Sequence, residues 1–599
     1  MNKRYFELLA KQFPDAKSIV TEIMNLHRIL SLPKGTEYFM SDIHGEYEKF
    51  GYILNNCSGV IQDTIEDIFK ELSLQEQTEL CLLIYIPQET LSTIQQNQID
   101  QFCQVNLLRL VQLARYLSAK YTRSRVRKYF PKEYAYILDE LLSGFQTEEM
   151  IKTLIHIDKC CSFLIAMCDL IKRLAVSHLH ILGDLYDRGA RGDKVVDMLQ
   201  TYHSVDIQWG NHDILIIGAA AGNLCCIAMV VLNAFKYKHL EMLENGYGIC
   251  LRHVFNNSQV LYPELSDMEA CYKTMAILMF KLEGQLIIEY PEYQLDDKLY
   301  LDKIKGNQLY LNHHSYPLKD SYFPTIDSNN PYHLCETEKI IIENLQESFM
   351  ESQKLHNHVQ FLLERGSVYH ISNNILLYHG CIPLDFCGRF ITVEFNHQKY
   401  QGKAYLDFID RMIRKGYHQR EKYAVDFYWY LWCGRLSPLC GRNLKQFIRM
   451  FVDDGKLGIE ESNAYYMHLD NEDICDMILK EFSIKKGHIV NGHTPVKIKE
   501  GQSPIKAQGK MLIIDGGFSP QYYHETGNSG YTLISDSTSL RLRSHCHEIS
   551  WQTTLKDQII ESYSPSLYIK DCDTGHILEQ QIKDLLYLLE AYRQGEKKA

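Results

Sequence analysis

Six short stretches of the chain share one pattern: a run of apolar, β-prone residues that ends abruptly in polar residues and glycine. They are EYFMSDIHG (37–45), LHILGDLYDRG (179–189), VDIQWGNHD (205–213), NILLYHGC (374–381), HIVNGHTP (488–495) and KMLIIDGGF (510–518). Short apolar runs closed by turn residues predict buried strands, and helical patterns follow several of them. In open α/β sheets, ligands collect beyond the carboxyl ends of strands. The pattern therefore predicts six strands whose polar ends meet on one rim.

Between these segments the periodicity changes. Residues 60–175 are rich in Leu, Ile, Gln and Glu at helical spacing, with prolines only at Pro87 and Pro131. Residues 225–370 start with helical spacing and then pass into NHHSYPLKDSYFPTIDSNNPYH (312–333), whose prolines, asparagines and aromatics predict a long loop or lid. At the N-terminus, Glu7, Lys11 and Asp15 interrupt any apolar core, which predicts an amphipathic helix and not a signal peptide. Near the C-terminus, Ile577, Leu578, Ile582, Leu585, Leu586 and Leu589 recur at helical spacing. They predict a docked terminal helix with a frayed basic end. The expected organisation is one α/β catalytic domain, 1–599, with central mixed β-sheets flanked by helices. Its core segments are 35–60, 172–224 and 370–545, interrupted by two large, mainly helical insertions, 61–171 and 225–369. Residues 546–599 form a C-terminal extension.

Composition narrows the function classes. A chain of 599 residues with 45% hydrophobic and 23% charged residues is ordinary globular material. The net charge of −12 gives no general attraction to nucleic acid or anionic lipid, so an anionic substrate has to be drawn by local charge such as a bound metal. No window approaches the roughly 18 uninterrupted apolar residues of a membrane span. The 18 cysteines are scattered or adjacent, as at Cys160–Cys161 and Cys225–Cys226, with no CxxC ladder. Buried, reduced thiols in a cytoplasmic protein are the expectation.

The strand ends carry the chemistry. Asp42 and His44 are two apart, so their side chains leave one face of the chain. Asp184 closes the second strand, and Asp187 and Arg188 follow in its turn; the other segments add Asn211, His212, His379 and His493. Six of these, Asp42, His44, Asp184, Asn211, His379 and His493, form an all-oxygen and nitrogen donor set, which suits Mn, Fe or Zn over a thiolate site. Six donors hold two metals if one carboxylate bridges, and such a pair lowers the pKa of a shared water enough for phosphoester hydrolysis.

These residues, in this order, resemble the calcineurin-like metallophosphoesterases, whose pattern is D-x-H, G-D-x-x-D-R-G, G-N-H-D/E, H and G-H. DIHGEYEKF and GDLYDRG are most similar to the phosphoprotein-phosphatase branch. The long spacers are unlike a single-domain protein phosphatase. Together with GAAAGN (218–223) and WYLWCGRLSPLCGR (429–442), they resemble the class III fructose-1,6-bisphosphatases. The resemblance implies that Asp42, His44 and Asp184 bind one divalent metal and that Asp184 bridges to a second held by Asn211, His379 and His493, with Mn²⁺ the expected ion. It implies that His212 is the general acid, that Asp187 orients it and that Arg188 clamps phosphate. The reaction implied is in-line hydrolysis of the 1-phosphate of fructose 1,6-bisphosphate, within gluconeogenesis. A homo-oligomer and a nucleotide or phosphoenolpyruvate effector are also expected; nucleic acid and membranes are not.

Asp213 is expected to support its turn, and Arg435 and Arg442, flanking SPLCG, either to contact substrate phosphate or to form a structural ion pair. The basic segment KYTRSRVRKYF (120–130) reads as an effector site or, more simply, a solvated helix face. A phosphoprotein phosphatase or a dinucleoside polyphosphate hydrolase is the rival enzyme, using the same metals. A non-catalytic binding protein would have lost a ligand or the acid, and every position is filled.

Overall fold

The computed structural model describes residues 3–144, 147–157, 159–527, 530–545 and 557–594. The basic end expected to fray lies outside the described residues, as do residues 546–556 of the C-terminal extension. The fold is mixed α/β, mainly helical, with several sheets. It divides into two compact units, one comprising residues 1–38, 51–179 and 532–599, the other 39–50 and 180–531.

The first unit holds the two chain ends and the first insertion. Helices Lys3–Gln12, Ala16–Leu30 and Asp573–Arg593 bury Leu9, Ile19, Leu26, Ile582, Leu585 and Leu589 in one cluster. The terminal helix is thus docked as the spacing predicts, but Ile577 and Leu586 face outward, because an apolar stripe on a straight helix can exceed the width of its seam. The insertion is built on helices Ile99–Ser118 and Cys160–Ala175, with shorter helices around them.

The second unit contains four of the six segments whole and the polar ends of the other two, 39–45 and 180–189. All six predicted strands form: β1 (Glu37–Met40), β2 (His178–Ile181), β3 (Val205–Gln208), β6 (Ile375–Tyr378), β7 (His488–Asn491) and β9 (Met511–Ile513). The last three of these, with β5 (Tyr369–Ser372) and β8 (Ile505–Lys506), give a five-stranded sheet in the order β8-β9-β7-β6-β5, in which β6, β7 and β9 run parallel. Parallel strands end on the same edge, so His379, His493 and Asp515 emerge together. In a second sheet β1, β2, β3 and the short β4 (Gly366–Ser367) are neighbours in that order, and β3 and β4 are parallel.

Two helices follow β3: α1 (Asn211–Ala220) and α2 (Leu224–Tyr237), both buried along nearly their whole length. The chain breaks between them at Gly222, with a φ of 93°, and Asn223 caps α2 by accepting from the Cys226 amide at 2.8 Å. A Cβ on Gly218 would strike Cys226 and Tyr428, so this small-residue run brings helices together. Tyr428 lies on α3 (Lys422–Cys433). Among the described residues no single helix is long and apolar enough to cross a membrane; α1 and α2 pass only as a pair bent by 120°.

The segment expected as a long loop is partly a hairpin. Strands Gln308–Leu311 and His314–Pro317 pair antiparallel, joined by Asn312 and His313, both at positive φ. A two-residue turn with both φ values positive matches the twist of a hairpin, and asparagine and histidine tolerate it better than most residues.

Candidate active site

The site is assembled from the ends of the strands. The Asp42 amide donates to Gly183 O at 3.0 Å, the His44 amide to Asp184 O at 2.8 Å and the Gly189 amide to His44 O at 2.8 Å. These bonds zip the turn after β1 to the turn after β2. They also hold unusual backbone: Asp42, His44, Asp184, Asp187, Arg188 and His493 all have φ between 47° and 69°. For residues other than glycine such conformations cost about 1–3 kcal/mol each and persist only where surrounding bonds enforce them. Asp213 is one enforcer, accepting from the amides of Asp184, Leu185 and Gly210 at 2.8–2.9 Å, the turn-supporting role expected for it. Two glycines are required by contact. A Cβ on Gly210 would overlap the Asp184 carboxylate, and one on Gly492 would overlap Asp42 and Ser41.

Five of the six proposed ligands, Asp42, His44, Asp184, His379 and His493, lie within 4 Å of another member of the set, and the sixth, Asn211, lines the same cavity as His493. His379 Nε2 lies 3.4 Å from Asp184 Oδ2 and 3.1 Å from His493 Nδ1. On the other side, His44 Nε2 is 3.8 Å from both Asp184 Oδ2 and Asp42 Oδ1. Asp184 therefore belongs to two donor groups, one with His379 and His493 and one with His44 and His212. The outer nitrogens are already committed: His379 Nδ1 bonds Leu182 O at 2.7 Å and His44 Nδ1 bonds Tyr186 O at 3.0 Å. Such bonds fix the ring so that Nε2 presents its lone pair. His44 Nε2 and Asn211 Oδ1 are buried with no hydrogen-bond partner, which is unfavourable for a polar atom unless a cation takes the lone pair. The residues thus fit divalent metal ions.

The electrostatics agree. Burial opposes ionisation of Asp184, but His379, His212 and His44 outweigh it and hold the carboxyl well below its ordinary range. His44 and His493 are held below their ordinary values, chiefly by burial and then by Arg188 and His379 respectively. Burial works against the His379 cation too, yet Asp184 and Asp42 push it up to about 10. Burial likewise raises Asp42 to about 6 and lifts Asp515, beside it, well above its usual range. Crowded buried acids of this kind are the environment in which a bound cation gains most.

His212 stands at the edge of this cluster. Its Nδ1 meets Asp187 Oδ2 at 2.6 Å, and Asn233 Nδ2, from α2, donates to the same oxygen at 2.8 Å. His239 Nε2 is 3.6 Å from the other Asp187 oxygen, and Trp432, from α3, packs edge-on to the His212 ring at 5.0 Å between centroids. Although burial works against its charge, the His212 contact keeps Asp187 below the ordinary carboxylate range. With Nδ1 engaged, Nε2 is the nitrogen left for a substrate.

A cavity of about 450 Å³ opens beside these groups, lined among others by Asn211, His212 and His493. Five cationic side chains line it, Arg188, Lys236, Arg442, Arg449 and Lys497, against the carboxylate of Glu460. Arg188 stacks over Tyr522 at 4.5 Å, and its buried Nε has no partner. Arg442 donates to Thr494 at 2.8 Å and likewise keeps a buried, unpartnered Nε. The structure does not bring Arg435 here: it is exposed and lines another cavity, with Asp296, Asp297 and Lys445. The basic segment at 120–130 is partly self-satisfied, since Arg123 and Arg127 both grip Asp139.

Sequence reasoning missed Asp515, Asn233, His239, Trp432 and three of the cavity's cations. Asp515 had a signal, an apolar run ending in Asp-Gly-Gly. Asn233 had a fainter one, as the lone amide inside the apolar run MVVLNAF.

A family model described as Firmicute fructose-1,6-bisphosphatase matches residues 4–594. The class 3 fructose-1,6-bisphosphatase numbered 1 of Clostridium beijerinckii is 44% identical over 99% of this chain and 97% of its own length. That of Clostridium acetobutylicum is 42% identical over the same shares. Among solved structures, a cold-active protein-tyrosine phosphatase of Shewanella sp. shares 13% identity over 64% of this chain and 69% of its own. Its TM-score of 0.27 is too low to carry an argument.

Proposed function

The chain belongs to the Firmicute fructose-1,6-bisphosphatase family, and on that premise we propose that it hydrolyses the 1-phosphate of fructose 1,6-bisphosphate, releasing fructose 6-phosphate and phosphate. One observation carries the chemistry: Asp184 shared between two groups of imidazoles, one of which includes His212, whose Nδ1 is tied to the buried Asp187.

Asp42, His44 and Asp184 would hold one divalent ion, and Asp184, Asn211, His379 and His493 the other, with Mn²⁺ the ion proposed for this donor set. When bound, the pair supplies Lewis-acid polarisation of the phosphoryl group and an activated water. The chain's own residues do the rest. Arg188 and Arg442 offer unpartnered N–H groups to phosphoryl oxygens, and Arg188 is held flat by Tyr522. His212 gives a proton from Nε2 to the departing sugar oxygen as the P–O bond breaks, an assistance worth about 10²–10⁴-fold for a poor leaving group. Asp187, oriented by Asn233, keeps that ring in place.

The cations of the cavity favour a small bisphosphate over a protein substrate. In a chain of net charge −12 they concentrate positive charge in a recess of sugar-ligand size. Lys236, Arg449 and Lys497 are proposed to receive the 6-phosphate. The same reading extends to a cytoplasmic homo-oligomer answering to a nucleotide or phosphoenolpyruvate effector. The test is phosphate release by the Mn²⁺-loaded enzyme from fructose 1,6-bisphosphate, a phosphopeptide and a dinucleoside polyphosphate. The sugar bisphosphate should be far the fastest; equal or inverted rates would overturn the substrate assignment.

A further inference from the structure

A second donor cluster lies in the helical insertion and shares no residue with the catalytic site. Cys103, on the helix Ile99–Ser118, and Cys160 and Cys161, the first two residues of the helix Cys160–Ala175, bring their three sulfurs within 4.8 Å of one another. Cys103 and Cys160 are buried, and Cys161 is partly exposed. Among the described residues no other three thiols come together. We propose that these three cysteines form a soft-metal site of the zinc type, with three thiolate ligands and a fourth position open to water beside Cys161.

Geometry and charge both support this. Tetrahedral ligation at a Zn–S distance of about 2.3 Å places sulfurs about 3.8 Å apart, so side-chain rotations of less than an ångström close the cage. The start of the helix Cys160–Ala175 has no side-chain cap: Lys159 precedes it and makes no capping bond. A divalent ion with three thiolates carries net charge −1, which suits the positive end of a helix dipole. Left as thiols, the three sulfurs face one another, and burial raises the Cys103 thiol further from ionisation. A soft cation removes that barrier by displacing the protons on binding.

The donor sets also separate by class. The catalytic cluster offers only oxygen and nitrogen, whereas this one offers only sulfur, so a thiophilic ion and a harder one are sorted to different parts of one chain. A bound ion would tie Cys103 to Cys160 across the helices between them, bracing the insertion.

The test uses the full-length enzyme, freed of metal, kept reduced with a phosphine and titrated with Cd²⁺. One equivalent should develop an ultraviolet thiolate-to-metal charge-transfer band, which oxygen and nitrogen ligands do not give. C103S and C160S should abolish the band; C161S should reduce it by about a third and weaken binding by about 10-fold or more. C225S, a buried cysteine outside the cluster, should keep it. Retained phosphate release and circular dichroism show that each variant is folded. Absence of the band in folded wild-type enzyme, its persistence in C103S, or a disulfide within the triad in the reduced protein would overturn the proposal.

Discussion

Replacing Asn233 by alanine isolates the support of the proposed acid without touching a metal ligand. The amide lies on α2, is buried, and donates at 2.8 Å to the Asp187 oxygen that also meets His212 Nδ1 at 2.6 Å. A hydrogen bond to a charged group is worth about 1.5–3 kcal/mol, and each 1.4 kcal/mol in an activation barrier is tenfold in rate. If the loss is felt mainly as the leaving group departs, Asn233→Ala should lower kcat on fructose 1,6-bisphosphate by about 10- to 100-fold. That stays within the roughly 10²–10⁴-fold that a general acid supplies in total. An aryl phosphate whose phenolate leaves without a proton is the control. With it, Asn233→Ala, Asp187→Asn and His212→Ala should all be close to wild type while manganese content is unchanged. In a His212→Ala background, Asn233→Ala should add almost nothing, because the two act in one chain. Equal losses on both substrates, or a fall in metal content, would show that Asn233 does not act through the proton donor.

The remaining predictions concern the metals, the cavity and the fold. Asp184→Asn should remove both ions, because Asp184 lies in both donor groups, whereas His44→Ala should remove one, as counted by elemental analysis of the purified proteins. Lys236→Ala and Arg449→Ala should each raise KM for the bisphosphate by about 10-fold or more with little change in kcat, and should not affect the aryl phosphate, which has no second phosphate to bind. Burial pushes Glu283 up to about 7 from an ordinary 4.5, although Lys298 pulls it back. The folded protein therefore binds the extra proton between those values, and stability falls as pH rises from about 4.5 to 7, by about 3 kcal/mol at the upper end. Glu283→Gln should match wild type near pH 4.5 and exceed it at pH 8 in denaturant melts; a gain that is the same at both would show the charge is not the cause.

The parts of the site that sequence made legible are those in which one short segment carries both its strand and its chemistry. Asp42, His44, Asp184, Asn211, His379 and His493 each sit within a few residues of an apolar run, so local pattern located them; parallel strand direction gathered His379 and His493, and backbone bonds between two turns gathered Asp42, His44 and Asp184. The strain was less visible. Four of those six occupy positive φ, a region Asp and His tolerate better than most residues but which here is enforced by hydrogen bonds between separate turns, and no local pattern shows those bonds. Asn233, His239 and Trp432 act across tertiary contacts from the helical part of the chain, where an apolar periodicity looks the same whether it serves a core or a catalytic histidine. Arg435 and Arg442 look equivalent in SPLCG, yet the chain turns between them and sends only Arg442 to the cavity. The segment at 312–333 was obscured by its polar hairpin turn, where Asn312 and His313 resemble ordinary loop residues.

The most direct test of the two-metal account is a titration of metal-free enzyme with Mn²⁺ while phosphate release from fructose 1,6-bisphosphate is recorded. The two-metal mechanism requires activity that is negligible without metal and rises to saturation only as the second equivalent binds. Full activity at one equivalent, or hydrolysis that persists in the presence of a strong chelator, would contradict it.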